Sequence, residues 1–189
     1  NGRQNPSIAC ESYSRLAVTE GTQWVMDTST FTHFCRAGYG HILQALAPQG
    51  VVLIPREVEL EIDAARNLHV GVPTVGSTTW AGRIFLTSDE EWTAMQVKVV
   101  LGGGTKEHMG ECAVIACAKH RKLVAVIDER AAVAEAIARK VPFLDTMRLV
   151  ANAHKSIFDQ DESKTVALVD ALLGTGMWLP VKSGSELFG

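Results

Sequence analysis

The stretch WVMDTSTF, Trp24–Phe31, decides how the chain is read. An apolar triplet stops abruptly at an acid, and three hydroxyl residues follow. Consecutive apolar residues suit a strand buried on both faces, as in a parallel sheet. An acid followed by Thr-Ser-Thr suits the start of a helix, where side-chain oxygens accept free backbone N–H groups. A strand that hands over at once to a helix is the first half of a βαβ unit.

The same handover recurs along the chain. VVLIP (Val51–Pro55) is rich in β-branched residues and closes on a proline suited to a helix start, with PREVELEIDAARN continuing as that helix. LVAVID (Leu123–Asp128) is the clearest strand, and ERAAVAEAIARK follows it. RIFLT (Arg83–Thr87) and the short VPFLD (Val141–Asp145) supply two more. Between them run helical segments: Phe31, Phe34 and Cys35 at helical spacing, GHILQAL, HMGECAVIACAKH, TMRLVANAHK and SKTVALVDALL. SDEEW opens another, with Ser88 expected as its cap and Glu91 completing a capping box. GVPTVGSTT (Gly71–Thr79) reads as a loop and Gly102–Gly104 as a flexible hinge. Alternating strands and helices predict an α/β fold: a single Rossmann-like domain, its parallel sheet flanked by helices on both faces. That domain is expected over 23–180, after a polar lead-in over 1–22 and before a tail over 181–189.

Composition narrows the function. Lys plus Arg number 18 and Asp plus Glu 21, so the net charge is −3. This balance argues against holding nucleic acid by bulk charge alone. Cys10, Cys35, Cys112 and Cys117 form no CxxC pair, and no His cluster completes a zinc spacing. A reduced, cytoplasmic protein is expected. No apolar run is long enough to span a bilayer, and no signal-peptide pattern opens the chain.

Two strands end on acids, Asp27 and Asp128. Helix capping explains either one alone. In parallel α/β folds, however, the C-terminal edge of the sheet is where sites form. Two more acids lie on helices: Glu61, four residues after Glu57, and Glu111, four after Glu107. Glu111 borders an otherwise apolar helix, where a carboxylate normally has a partner. Glu57 and Glu107 are expected on solvated faces. Four converging carboxylates repel strongly, by roughly 4 kcal/mol for a pair at about 4 Å and an effective dielectric near 20. Protonation or a cation must offset this, and an all-oxygen set favours Mg²⁺ or Mn²⁺. Lys119-His120-Arg121-Lys122 is expected as a solvated turn at the opposite edge of the sheet. GGGTK fails the phosphate-loop pattern because a helix, not a strand, precedes it.

In order, Asp27-Thr-Ser, PREVELEI with Glu61, GECAVIACA with Glu111 and VIDERAAVAEA with Asp128 resemble the PIN-domain nucleases, whose best-known members are the VapC-type toxins. The resemblance runs from about Trp24 to Leu179. It implies that Asp27, Glu61, Glu111 and Asp128 are the catalytic, metal-binding acids, with Ser29 supporting the first. Glu129 stands where many relatives carry a second Asp, so either Asp128 or Glu129 faces the metal. Asp145-Thr146 replaces the usual Gly-Thr, which places Thr146 beside the site and leaves room for a fifth acid. Lys106, His108 and Arg130 are candidates for phosphate contacts. By this resemblance the chain is a Mg²⁺- or Mn²⁺-dependent ribonuclease acting on single-stranded RNA, in the setting of a toxin with an antitoxin protein as partner. A homodimer is also implied, although no diagnostic interface stripe stands out in the sequence. Two alternatives stay open: an altered PIN-like domain that binds RNA or protein without cutting, and another metal-dependent phosphoesterase on a Rossmann-like scaffold.

Overall fold

A computed structural model describes residues 21–189. Residues 1–20, with Cys10 and nearly all of the expected lead-in, lie outside the described residues. Five strands form one all-parallel sheet: β1 (Trp24–Met26), β2 (Val52–Pro55), β3 (Ala81–Ile84), β4 (Val124–Val126) and β5 (Phe143–Leu144). Eight α-helices are described: α1 (Thr28–Arg36), α2 (Gly40–Leu46), α3 (Arg56–Arg66), α4 (Ser88–Leu101), α5 (Met109–Arg121), α6 (Arg130–Ala138), α7 (Thr146–Ser156) and α8 (Glu162–Gly174). The α/β reading of the sequence therefore holds. Among the described residues no helix is long and apolar enough to cross a membrane.

Spatial strand order is β3-β2-β1-β4-β5. The chain winds outward from β1 in one direction, then returns to β1's other side through β4. The order reverses between β1 and β4, and crevices open there at the C-terminal strand ends. Every residue of β1 and β4 is buried, which their unbroken apolar runs require. Helix α5 crosses β1, β2 and β4, and its run from Cys112 to Ala118 is buried almost completely. Its small alanines and cysteines let the helix lie close to the sheet. The three described cysteines are free thiols.

Two boundaries differ from expectation. β3 begins at Ala81, not Arg83, because Ala81 and Gly82 pair with Val52 and Leu53. Phe85 consequently falls outside the strand and is exposed. Helix α4 is capped one residue early, by Thr87 with Glu90 instead of Ser88 with Glu91. Both frames fit the capping-box pattern. Position 90 is the one that turns inward, where its carboxylate meets Arg121 at the end of α5. Arg121 donates from Nε to Oε1 at 2.6 Å and from Nη2 to Oε2 at 2.7 Å, and also reaches the Phe85 carbonyl. His120 lies 2.8 Å from the Thr93 hydroxyl. The basic run is thus not simply a solvated turn: half of it bolts α4 to α5.

The glycine hinge is also more constrained than expected. Gly102 and Gly103 take positive φ, and the Lys98 ammonium donates to the carbonyls of Gly102, Gly104 and Glu107. Glu107 is exposed, as expected, and accepts from the Gly104 N–H. Glu57 differs from expectation, since its Oε2 is buried without a hydrogen-bond partner. The stretch 181–189 folds back on α8: Gly184 donates to Asp170, and a Cβ there would lie 2.5 Å from the Val166 carbonyl oxygen.

Arg121 holds the buried Glu90 down to about pH 2, so that contribution to stability is full above about pH 4.5 and lost as pH falls toward about 2. Replacing Arg121 by Ala strands a buried carboxylate. Urea denaturation at neutral pH should show a loss of about 3 kcal/mol, and the Glu90→Gln, Arg121→Ala double variant should recover part of it.

Candidate metal centre

The sheet delivers two of the acids directly. Asp27 follows β1 and its N–H still bonds to the Val126 carbonyl at 3.1 Å. Asp128 follows β4 by two residues. Adjacent strands at the switch point therefore end in carboxylates that sense each other's charge. Glu61 comes in from α3 and Glu111 from the first turn of α5. Glu111 acts electrostatically on both Asp27 and Glu61. All four acids predicted from the sequence thus share one electrostatic neighbourhood.

Neutral donors hold them in place. Asp27 is buried and caps α1, accepting the Thr30 N–H at 2.9 Å. Capping and site placement coexist in one carboxylate. Asp128 accepts the Thr146 N–H at 2.7 Å, the Thr146 hydroxyl at 2.6 Å and the Thr30 hydroxyl at 3.1 Å. Glu61 accepts the Thr28 hydroxyl at 2.5 Å and the Gly110 N–H at 2.8 Å. The supporting hydroxyls are those of Thr28 and Thr30. Ser29, expected in that role, bonds to none of the four acids. The helical turn explains this, because residues 28 and 30 flank the Asp27 cap on its inner side while 29 faces away.

The remaining candidates separate cleanly. Glu129 caps α6 by accepting the Ala132 N–H, so Asp128 is the acid that joins the cluster. Asp145 caps α7 through the Arg148 N–H, yet its charge is felt by Asp128. His108 approaches the Glu111 carboxylate at 3.9 Å. Lys106 and Arg130 are exposed and make no contact with the four acids. One acid the sequence did not single out, Glu59, is buried between Arg56 and Arg83 and holds α3 against β3. Its signal was present, since i,i+3 spacing from Arg56 predicts such a pair.

Burial and mutual repulsion raise three of these acids. Asp27 is pushed up to about 8, first by burial and then by Asp128. Glu61 and Asp128 are raised chiefly by burial, against the lowering effect of their threonine and backbone donors. Among the described residues, no three His, Cys, Asp or Glu side chains stand together in an arrangement that would hold a metal ion. The donor chemistry nevertheless fits a hard divalent cation: carboxylate oxygens only, with Asp128 and Glu111 disfavouring the charge on Asp27, and Glu111 that on Glu61.

Gly110 has a specific geometric duty. A Cβ at this position would lie 2.6 Å from Glu61 Oε2 and 3.1 Å from its Cδ. Only glycine lets the Glu61 carboxylate rest on the N-terminus of α5, where backbone donors and the helix dipole favour an anion.

A family model described as a PIN domain matches residues 23–187. Neither the curated proteins nor the solved structures contain a match to the chain.

Two outcomes follow from the geometry. Gly110→Ala should displace Glu61 and weaken Mn²⁺ binding by about tenfold to a hundredfold, as loss of a ligand's support does elsewhere. Calorimetric titration would show this, with the melting temperature of the metal-free protein little changed. The second concerns pH. An acid whose pKa is raised on folding binds its proton more tightly in the native state, so its contribution is full below the unfolded value and is lost as pH rises through the folded one. For Asp27 that window runs from about 4 to about 8. Denaturation in the presence of a chelator should therefore show stability falling across it, and Asp27→Asn should flatten the fall.

Proposed function

The chain belongs to the PIN-domain family, and from that premise we propose that it is a divalent-metal-dependent endoribonuclease cutting single-stranded RNA. PIN domains are generally nucleases. The observation that carries the reading is the pairing of Asp27 and Asp128 at the β1/β4 switch point, with Glu111 acting electrostatically on both Asp27 and Glu61. Asp27, Glu111, Asp128 and Glu61 would hold Mg²⁺ or Mn²⁺. When bound, such an ion lowers the pKa of an attacking water and stabilises the leaving oxygen of a phosphodiester.

The protein's own part is orientation. Thr30 and Thr146 fix the Asp128 carboxylate, and Thr28 with the Gly110 N–H fixes Glu61. These donors are neutral, so they set direction without cancelling the negative charge that attracts the cation. Of the candidate phosphate contacts, His108 lies beside Glu111, and Lys106 and Arg130 are exposed. A cytoplasmic toxin countered by an antitoxin protein is the biological setting we propose, supported by the family resemblance of the acid-bearing motifs.

A second reading is favoured by one observation. The acids as placed form no ready metal-holding group, which suits a domain that binds RNA or a protein without cutting. Mn²⁺ titration and cleavage of a labelled single-stranded RNA decide between them. The nuclease reading expects Mn²⁺-dependent cleavage that Asp27→Asn reduces by at least about a hundredfold. RNA binding without Mn²⁺ uptake or cleavage would establish the second reading instead.

A further inference from the structure

We propose that a basic cavity at the edge of the sheet opposite the four acids binds a phosphate monoester, carried on a small molecule or on the end of an RNA chain. The cavity holds about 300 Å³, and Lys119, Lys122, Arg139 and Lys140 line it together with Val124 and Pro142. Val124 opens β4 and Pro142 immediately precedes β5, so the cavity lies at the N-terminal strand ends. Helix α5 carries Glu111 in its first turn and Lys119 in its last, and its 13 residues span about 20 Å. A small ligand in the cavity therefore does not reach the acids.

Two helices end here in the same way. α5 runs out through Arg121-Lys122 and α6 through Arg139-Lys140, and a strand follows each. The Leu123 N–H reaches back to the Ala118 carbonyl at 3.0 Å, and the Val141 N–H to that of Ala136 at 2.9 Å. This closure puts the residue before the donor in the left-handed conformation, where glycine is usual. Both positions here are lysines, Lys122 at φ 56° and Lys140 at φ 58°. In each pair a buried acid takes up the arginine: Glu90 holds Arg121, and Glu135 holds Arg139 at 2.5 Å. The lysines are left over. Among the described residues, Lys119, Lys122 and Lys140 make no ion pair, and all three are exposed.

Helix dipoles alone do not account for this charge. A helix C-terminus carries roughly half a negative charge, so two of them call for about one cation. Three unpaired lysines leave a surplus of about two positive charges. A phosphate monoester at neutral pH carries about two negative charges, and ammonium groups donate charge-assisted hydrogen bonds to its oxygens. Val124 and Pro142 offer apolar surface to the carbon part of the ligand. The volume is at the small end for ligand pockets, which suits one phosphorylated unit, not a length of strand.

Calorimetric titration of the full chain with adenosine 5′-monophosphate tests the site. A chelator is present throughout, so no metal bridges the ligand to the acids. Binding should saturate below about 1 mM, as two charge-assisted bonds allow, and adenosine should not bind. The Lys122→Gly, Lys140→Gly double variant removes two charges and relieves two left-handed residues. Its affinity should fall at least about tenfold while its melting temperature holds or rises. Lys155→Gln, which does not line the cavity, should change neither. A short single-stranded RNA with a 5′-phosphate separates the two sources: tighter binding than the mononucleotide assigns the site to an RNA end, and weaker binding assigns it to a free small molecule. The proposal is overturned if neither ligand saturates, if the double variant binds as well as the parent, or if the same RNA with a 5′-hydroxyl binds equally well.

Discussion

Mutual repulsion among carboxylates at the β1/β4 junction is the constraint around which this protein is organised. Parallel strands with their C-terminal ends level must terminate somewhere, and here both central strands terminate in acids. Asp27 cannot retreat, because its N–H is still in the ladder with Val126 and its carboxylate caps α1. Asp128 is held on three sides by Thr30 and Thr146. The charges are therefore fixed in place by the sheet and by two helix starts. Relief has to come from a proton or from a cation, and burial together with Asp128 pushes the Asp27 carboxyl up toward the protonated form.

The supporting groups are threonines and a glycine N–H, and that choice has consequences. An arginine beside these acids would stabilise them individually, as Arg121 does for Glu90. It would also cancel the field that a divalent ion needs. Neutral donors orient an oxygen while leaving its charge available. The contrast is visible within one fold. Glu59 and Glu90 are buried acids neutralised by arginines, and both join secondary structure elements together. Asp27, Glu61 and Asp128 are buried or half-buried acids without such partners, and each accepts its hydrogen bonds from neutral donors.

How much of this the sequence reveals depends on whether a feature is local. Strands β1, β2 and β4 are legible because a parallel strand covered on both faces must be apolar throughout. The four acids are legible because each interrupts such a run or borders one. Helper residues are not, since Thr28, Ser29 and Thr30 are chemically alike in sequence and only the helical turn decides which two face inward. The α4 cap shows the same limit: TSDE and SDEE both satisfy the local pattern, and a tertiary partner, Arg121, selects the frame. Strand β3 slid by two residues for a similar reason, because pairing with β2 outweighed the apolar run after Arg83.

Helix α4 escapes pattern reading for a different cause. Amphipathic periodicity identifies a helix by contrast between two faces, and α4 has apolar residues on both. Its inner face packs on α5, the helix that carries Gly110 and Glu111. Its C-terminal end is continuous with the glycine linker that Lys98 gathers through three carbonyls, and that linker leads straight to His108 and the first turn of α5. Rigid attachment along this path matters because the Gly110 N–H must meet Glu61 at hydrogen-bond distance. Helix α4 is thus bolted, through Arg121 at one end and Lys98 at the other, to the element that supplies the fourth carboxylate.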